Sequence, residues 1–427
     1  METHSFNLIM ACAIFLSNYT LIIFEKLDKV LLAFIGASLM IVTGIINQEN
    51  AFSHIDFNTI GLLIGMMIMV MVIKRTGLFE YLAIKVVKLS KAQPLRLLIL
   101  LSMITGGLSA ILDNVTTILL ITPMTFDIAK ELKISPVSLI IAEVFASNVG
   151  GTATLIGDPP NIMIGSAVGL DFISFLKVNA PIALLTLIAT TLIFAVLNKK
   201  GLTTTEESKE KVLKMDEKLA IKDARLLKQS LLVLGVTLAG FMLHGVLHYE
   251  SATIAIIGAV VLLTISRIGP EEVLHELEWN TIFFFIGLFM LVGGLKEAGA
   301  IKLLAQWVLD LTNGNLILST MAILWVSAIA SAFVDNIPFV ATMIPMIQDM
   351  GTISGMNLTP LWWALSLGAC LGGNGTIIGA SANVIATGMA ADRGYRISFK
   401  NYFKVAFPIM IFTIILATIY LYLLYFV

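Results

Sequence analysis

The sequence predicts an all-α polytopic membrane protein of two inverted repeats, each with five transmembrane helices and one re-entrant hairpin, and with broken helices at the midplane. Three observations lead there. Hydrophobic residues make up 58% of the chain and charged residues 13%, with mean hydropathy +0.95, where soluble domains hold roughly 45–50% and about 25%. A motif of the first half recurs in the second at a constant offset. Polar, helix-breaking residues interrupt apolar segments at matching places in both halves.

The duplication is read from GGTATLIGDPPN (Gly150 to Asn161) and GGNGTIIGASAN (Gly372 to Asn383), 222 residues apart. Gly150, Gly151, Thr154, Gly157 and Asn161 recur as Gly372, Gly373, Thr376, Gly379 and Asn383. The same offset pairs Asp113-Asn114 with Asp335-Asn336, Gly65 with Gly287 and Lys74 with Lys296. A fixed period over so long a stretch marks internal duplication.

A crossing helix needs about 20 apolar residues. In repeat 1 (1–198) the spans fall near 6–24, 30–46 and 58–73. The third holds Met66, Met67, Met69 and Met71, whose soft side chains suit lipid or core packing. Residues 77–93 are amphipathic and read as an interfacial helix. Residues 95–133 form two short arms around an aspartate, a hairpin. Residues 136–170 hold a broken helix and 175–198 a further span. The polar stretch 199–228 is the linker. Repeat 2 (229–427) follows the same plan, with spans near 229–247, 251–266 and 280–295, an amphipathic piece at 297–313, a hairpin at 316–350, a broken helix at 360–391 and a last span at 403–426. The early spans, 6–46 and 229–266, lack polar breaks and are expected to form the scaffold.

Five crossings per repeat is an odd number, so the repeats point in opposite directions, the arrangement of many secondary transporters. All Lys and Arg except Lys177, Lys296 and Lys302 then fall on the linker side. The positive-inside rule makes that side cytoplasmic. This places the chain in the cell (inner) membrane with both termini outside, the Asp113 hairpin entering from the cytoplasm and the Asp335 hairpin from outside.

An aspartate at membrane depth costs about 2.5–3.5 kcal/mol on insertion scales, and irregular backbone is tolerated there only under protein or against a water-filled cavity. The expected ion- and substrate-binding set is Asp113, Asn114, Asn148, Thr152, Thr154, Asp158, Asn161, Asp335, Asn336, Asn374, Thr376, Ser381 and Asn383. Gly150, Gly151, Gly157, Pro159, Pro160, Gly372, Gly373 and Gly379 supply the backbone breaks and hinges. Asp158 has Ala380 as its repeat partner and reads as either a site residue or a helix cap. Glu143, matched by Leu365, reads as a proton relay or as a paired or water-exposed carboxylate. Asp56 and Glu278 match at helix starts, where capping accounts for them. His4, His54, His244, His248 and His275 lie near span ends, where interfacial solvation suits them. Cys12 and Cys370 form no metal or disulfide framework. No catalytic motif or ATP-binding loop is present, and a net charge of −1 gives no basis for binding nucleic acid.

The motifs SAILDNVTTILLITPM, GGTATLIGDPPNIMI, SAFVDNIPFVATMIPM and GGNGTIIGASANVI resemble the ion transporter superfamily. That superfamily includes divalent-anion/sodium symporters, arsenite/antimonite pump membrane proteins, NhaD-type sodium/proton antiporters and the P protein. The GDPPN form resembles the arsenite-pump and P-protein branch. The resemblance implies a homodimer whose scaffold supports a mobile transport domain, moving as an elevator. Where the dicarboxylate symporters carry Ser-Asn-Thr at both tips, this chain has Asp113-Asn114-Val115 and Asp335-Asn336-Ile337. With no Arg or Lys expected at the midplane, two acids disfavour a di-anionic substrate. They suit proton or sodium as coupling ion, with a small cation or neutral metalloid such as arsenous acid as substrate. The leading expectation is a proton-coupled secondary transporter of arsenite/antimonite efflux type. Sodium/proton antiport, anion symport, and a channel or the membrane subunit of an ATPase complex are the alternatives. No cofactor is expected.

Overall fold

The computed structural model describes residues 2–23, 27–199, 201–247 and 249–427. The side chains of His4 and His244, and all of His248, lie outside the described part. Every regular element among the described residues is helical.

The first half runs α1 (Glu2–Ile23), α2 (Lys29–Val42), α3 (Gln48–Ser53), α4 (Phe57–Arg75), α5 (Leu78–Leu89), α6 (Pro94–Ser109), α7 (Asn114–Glu131), α8 (Val137–Gly151), α9 (Pro159–Val168) and α10 (Phe172–Asn198). The polar connection is not featureless: it holds α11 (Glu206–Leu213) and a 3₁₀ turn at Glu217–Ala220. The second half runs α12 (Ala224–Leu247), α13 (Ser251–Ser266), α14 (Pro270–Leu274), α15 (Trp279–Glu297), α16 (Ala300–Thr312), α17 (Leu316–Phe333), α18 (Asn336–Ser354), α19 (Thr359–Gly372), α20 (Ser381–Asp392) and α21 (Phe399–Tyr425). Two short 3₁₀ turns, Gly373–Gly375 and Ile377–Gly379, separate α19 from α20. Among the described residues, seven helices have the length and hydropathy to cross a bilayer, and α2, α6, α8 and α13 are apolar but shorter.

Local chemistry accounts for the boundaries. Asp28, Asn47, Asp56, Asp113 and Asp335 cap α2, α3, α4, α7 and α18 through their side chains, supplying acceptors to N–H groups that a helix start leaves free. Pro94 and Pro159 open α6 and α9, where no backbone donor is needed. The methionines of α4 are buried, which selects core packing over lipid exposure.

The two halves are interleaved. Helix α4 packs on α13 and α12 of the second half, and α15 packs on α2 and α1 of the first. Glycine permits both crossings. A Cβ on Gly65 would stand 2.6 Å from the Ala255 carbonyl carbon, and one on Gly287 would stand 2.9 Å from the Ala33 Cβ. Ala33 and Ala255 are themselves related by the 222-residue offset. The hairpins interleave likewise: α7 packs on α20 and α18 on α9.

Candidate functional site

Both hairpin tips are tied to a helix break by the same bonds. The hydroxyl of Thr154 donates to the Ala110 carbonyl (2.6 Å), and Thr376 donates to the Ala332 carbonyl. Ser109 donates to the Ser147 carbonyl (2.7 Å) and Ser331 to the Ala369 carbonyl (2.7 Å). The side-chain amide of Asn161 donates to the carbonyls of Gly151, Thr152 and Thr154. That of Asn383 donates to Gly373 and Thr376. Gly151 lies against the Gly157 carbonyl and Gly373 against the Gly379 carbonyl, distances that leave no room for a Cβ at Gly151 (2.4 Å) and little at Gly373 (3.0 Å). Gly150 and Gly372 press on the carbonyls of Gly106 and Ala328. Pro159 and Pro160 begin α9 without needing backbone donors. These residues hold the breaks open by satisfying carbonyls that a continuous helix would have bonded. Thr152, Thr154 and Thr376 therefore act as struts: each hydroxyl is already donated to a backbone carbonyl.

Between the breaks runs a buried chain of amides. Asn114 Nδ2 donates to Asn148 Oδ1 (3.1 Å). Asn148 Nδ2 in turn donates to Asn374 Oδ1 (3.0 Å) and Asn383 Oδ1 (2.8 Å), joining the two halves. Asn336 Nδ2 meets Asp158 Oδ1 at 3.3 Å. The Asp158 side chain makes no capping bond to α9 and instead faces Asn336 of the other half. Cys370, the positional match of Asn148, faces Asn161 Oδ1 at 3.5 Å. Asn114 Oδ1 and Asn374 Nδ2 are buried without a hydrogen-bond partner among the described residues. A free amide oxygen of this kind fits a hard cation such as sodium, which takes oxygen donors.

The aspartates themselves face a cavity of about 370 Å³ whose walls include Asp113, Asp335, Ser381, Glu278, Thr281 and Lys29. Asp113 accepts from the backbone N–H (2.7 Å) and hydroxyl of Thr116. Asp335 accepts from the Ile337 N–H (3.2 Å) and the Ser381 hydroxyl (3.0 Å). One wall of the cavity lies toward the linker. Lys29 and Glu278 stand at helix starts there, the segment before Glu278 is tied to Arg75 through Glu272 and Glu276, and Lys222 of the linker donates its N–H to the Thr76 carbonyl. A second cavity of about 310 Å³, lined in part by His54, Asp56, Ser166, Lys296 and Gln348, lacks both tips.

Two expectations need correction. A cation does reach the aspartates: Lys29 Nζ lies 3.4 Å from Asp335 Oδ2 and 3.1 Å from Ser381 Oγ. A lysine at a span end extends a long apolar stem before its charge, and this stem leads inward. Glu278 is not the counterpart of the Asp56 cap. Among the described residues its side chain makes no bond to the α15 backbone and accepts only from the Thr281 hydroxyl (3.2 Å), with Oε1 unpartnered. The signal for Glu278 was its pairing with Asp56 at the repeat offset; for Lys29, whose matched residue is Ser251, the sequence held none. Glu143 is fully buried and not water-exposed. It accepts from Thr125 (2.5 Å), and its second oxygen has no partner among the described residues.

Residues 19–368 match the family model described as citrate transporter, CitMHS. The chain is 42% identical over 428 residues to the "Uncharacterized transporter Rv2684" of Mycobacterium tuberculosis, covering 98% of this chain and 99% of that protein. It is 34% identical over 496 residues to the human P protein, covering 96% of this chain and 59% of that longer protein. The YdaH transporter of Alcanivorax borkumensis has the same fold, with TM-score 0.53, 16% identity, and coverage of 87% of this chain and 85% of that one.

Proposed function

The chain belongs to the citrate transporter family of multi-pass membrane transporters and is not an enzyme, and from that premise we propose that it is a proton-coupled secondary active transporter whose site is the cavity between the two hairpin tips. The single observation that carries this reading is the convergence of Asp113 and Asp335, from opposite halves of the chain, on one cavity beside Ser381. Two carboxylates that share a low-dielectric site disfavour being ionised together. Proton uptake and release there would accompany substrate movement. Asn114 Oδ1 offers a place where sodium serves instead.

Three acids against one lysine in the cavity wall suit a neutral or cationic solute. Arsenite or antimonite efflux remains the first substrate reading, with sodium/proton antiport beside it. Lys29 favours a second reading, uptake of an organic anion such as the citrate named for the family, in which the lysine engages a substrate carboxylate. The interleaved α1, α2, α4, α12, α13 and α15 are proposed as the scaffold of a dimer. The hairpins with α8–α9 and α19–α20 are proposed as the unit that moves as an elevator. Support for this division is that α2 packs on α15 and α1, and α13 on α4 and α12. The linker end is proposed as cytoplasmic, in an inner membrane.

Reconstituted in liposomes, the protein should show saturable flux driven by a pH or sodium jump in a panel of sodium, lithium, arsenite, antimonite and citrate. A conductance that never saturates would make it a channel, and flux seen only with an added ATPase would make it a pump subunit. Labelling of a Glu207→Cys variant, an exposed linker position, from the periplasm of intact cells would reverse the orientation.

A further inference from the structure

We infer that Lys29 is a built-in cation that occupies the Asp335 position when no external cation is bound, latching the second hairpin to α2 until a proton or sodium ion displaces it. The inference rests on the secondary-transport reading above. Lys29 Nζ, Ser381 Oγ and Asp335 Oδ2 form a closed triangle, with sides of 3.1, 3.0 and 3.4 Å. Each group comes from a different element: α2, the start of α20 and the tip before α18. Helix α2 is anchored elsewhere, on α15 and α1, so the ion pair bridges the cavity instead of lying within one packed body.

The pair has the properties of an exchangeable contact. Its side chains are 35% and 15% exposed, so the ammonium is within reach of solvent from the cavity. The 3.4 Å separation is longer than the roughly 2.7–2.9 Å of a tight charged hydrogen bond. An ammonium on a flexible stem swings readily, and Nζ already lies over the Phe284 ring, 5.0 Å from its centroid, a contact that does not depend on Asp335. Glu278 also faces Lys29, Asp113 faces the same cavity, and Tyr19 lies near Asp335. A lone ionised Asp335 would be costly inside the membrane. The lysine neutralises it in place, and the latch keeps an unloaded hairpin from moving. Coupling follows, because only a bound cation frees the hairpin. The first half has no such device, since the position matching Lys29 is Ser251.

The test is thermal unfolding of the purified protein against sodium, lithium and pH, with choline as the inert salt. In Lys29→Gln the competitor is gone. Stabilisation by sodium should then set in at a concentration at least tenfold lower than in the wild type, or stabilisation by acid at higher pH. The double variant Lys29→Gln/Asp335→Asn should respond as Asp335→Asn alone does, and Lys29→Arg, which keeps the charge, should respond as the wild type does. Lys29→Met repeats the test should the glutamine variant fail to fold. Identical sodium, lithium and pH responses in the wild type and the uncharged variants would overturn the latch. A shift produced by Lys29→Gln in the Asp335→Asn background would overturn it as well. Because no flux is measured, failure here is separate from failure of the transport assay.

Discussion

The two hairpin tips carry the same Asp-Asn pair in different company. Asp113 spends its carboxylate on the start of its own helix, accepting twice from Thr116. Asp335 makes a weaker cap and reaches across to Ser381 and Lys29. Behind them, Asn114 joins an all-amide chain through Asn148, while Asn336 meets the carboxylate of Asp158. The backbone bracing is duplicated almost bond for bond, whereas the groups that touch the cavity are not. Duplication supplied a frame, and divergence of a few side chains made its halves unequal. A carrier needs that inequality, because loading and release are different tasks.

The largest expected effect tests whether both aspartates titrate with transport. Asp113→Asn and Asp335→Asn keep the caps and remove the charge, so each should abolish pH-gradient-driven flux while exchange at equal pH survives. Unchanged flux and pH dependence in both would reduce the aspartates to caps. Next comes the pair Asn148 and Cys370. Asn148→Ala strands Asn114, Asn374 and Asn383, and each buried orphan costs about 1–3 kcal/mol. Cys370→Ala removes only weak thiol contacts, to Asn161, Asp158 and Thr152, and should shift the melting temperature far less. Equal shifts would mean the amide chain contributes no more than its counterpart.

The crossings give a third comparison. Gly65→Ala and Gly287→Ala should each destabilise by about 1–3 kcal/mol through overpacking. Gly65→Ala should be the worse, since its new Cβ stands closer to the facing backbone, 2.6 Å against 3.0 Å. The reverse order in thermal unfolding would show that α4 and α15 cross differently.

The smallest effect concerns the linker, which pairs with α5 and α7 of the first half. Lys211 pairs with Glu131 on α7 (2.5 Å), and Glu217 pairs with Lys88 on α5. The second-half matches of Lys88 and Glu131 are Asp310 and Ile353, which cannot make these pairs. The neighbouring lysines hold both carboxyls below their ordinary values. Their contribution is therefore present above the usual carboxylate pKa and lost as pH falls through the lowered one. Exposed pairs are also weakened by salt. Protection from hydrogen exchange across 206–220, corrected for the intrinsic rate, should fall in acid and in high salt, and protection unchanged under both would detach the pairs from docking.

Legible in the residues alone were the membrane class, the 222-residue duplication, the aspartates at two helix starts and the breaks. Each is a local property: apolar runs, a fixed 222-residue offset, aspartates before helix starts, and Gly and Pro where a helix cannot continue. It also brought forward the residues now seen at the breaks, because polar groups inside apolar segments stand out. Which of them brace and which face the cavity was decided only by the tertiary structure. Thr154, Thr376, Asn161 and Asn383 resemble ligands in a sequence, yet their donors go to carbonyls of the breaks. Lys29 looked like one more linker-side cation, since charge counting assigns a residue to an end of its helix and cannot follow a long side chain inward. The pairing of α4 with α13 and of α15 with α2, the amide chain between halves and the approach of Lys29 to Asp335 join residues up to 306 positions apart. Contacts at that separation depend on how the halves pack together, and neither helix periodicity nor composition records it.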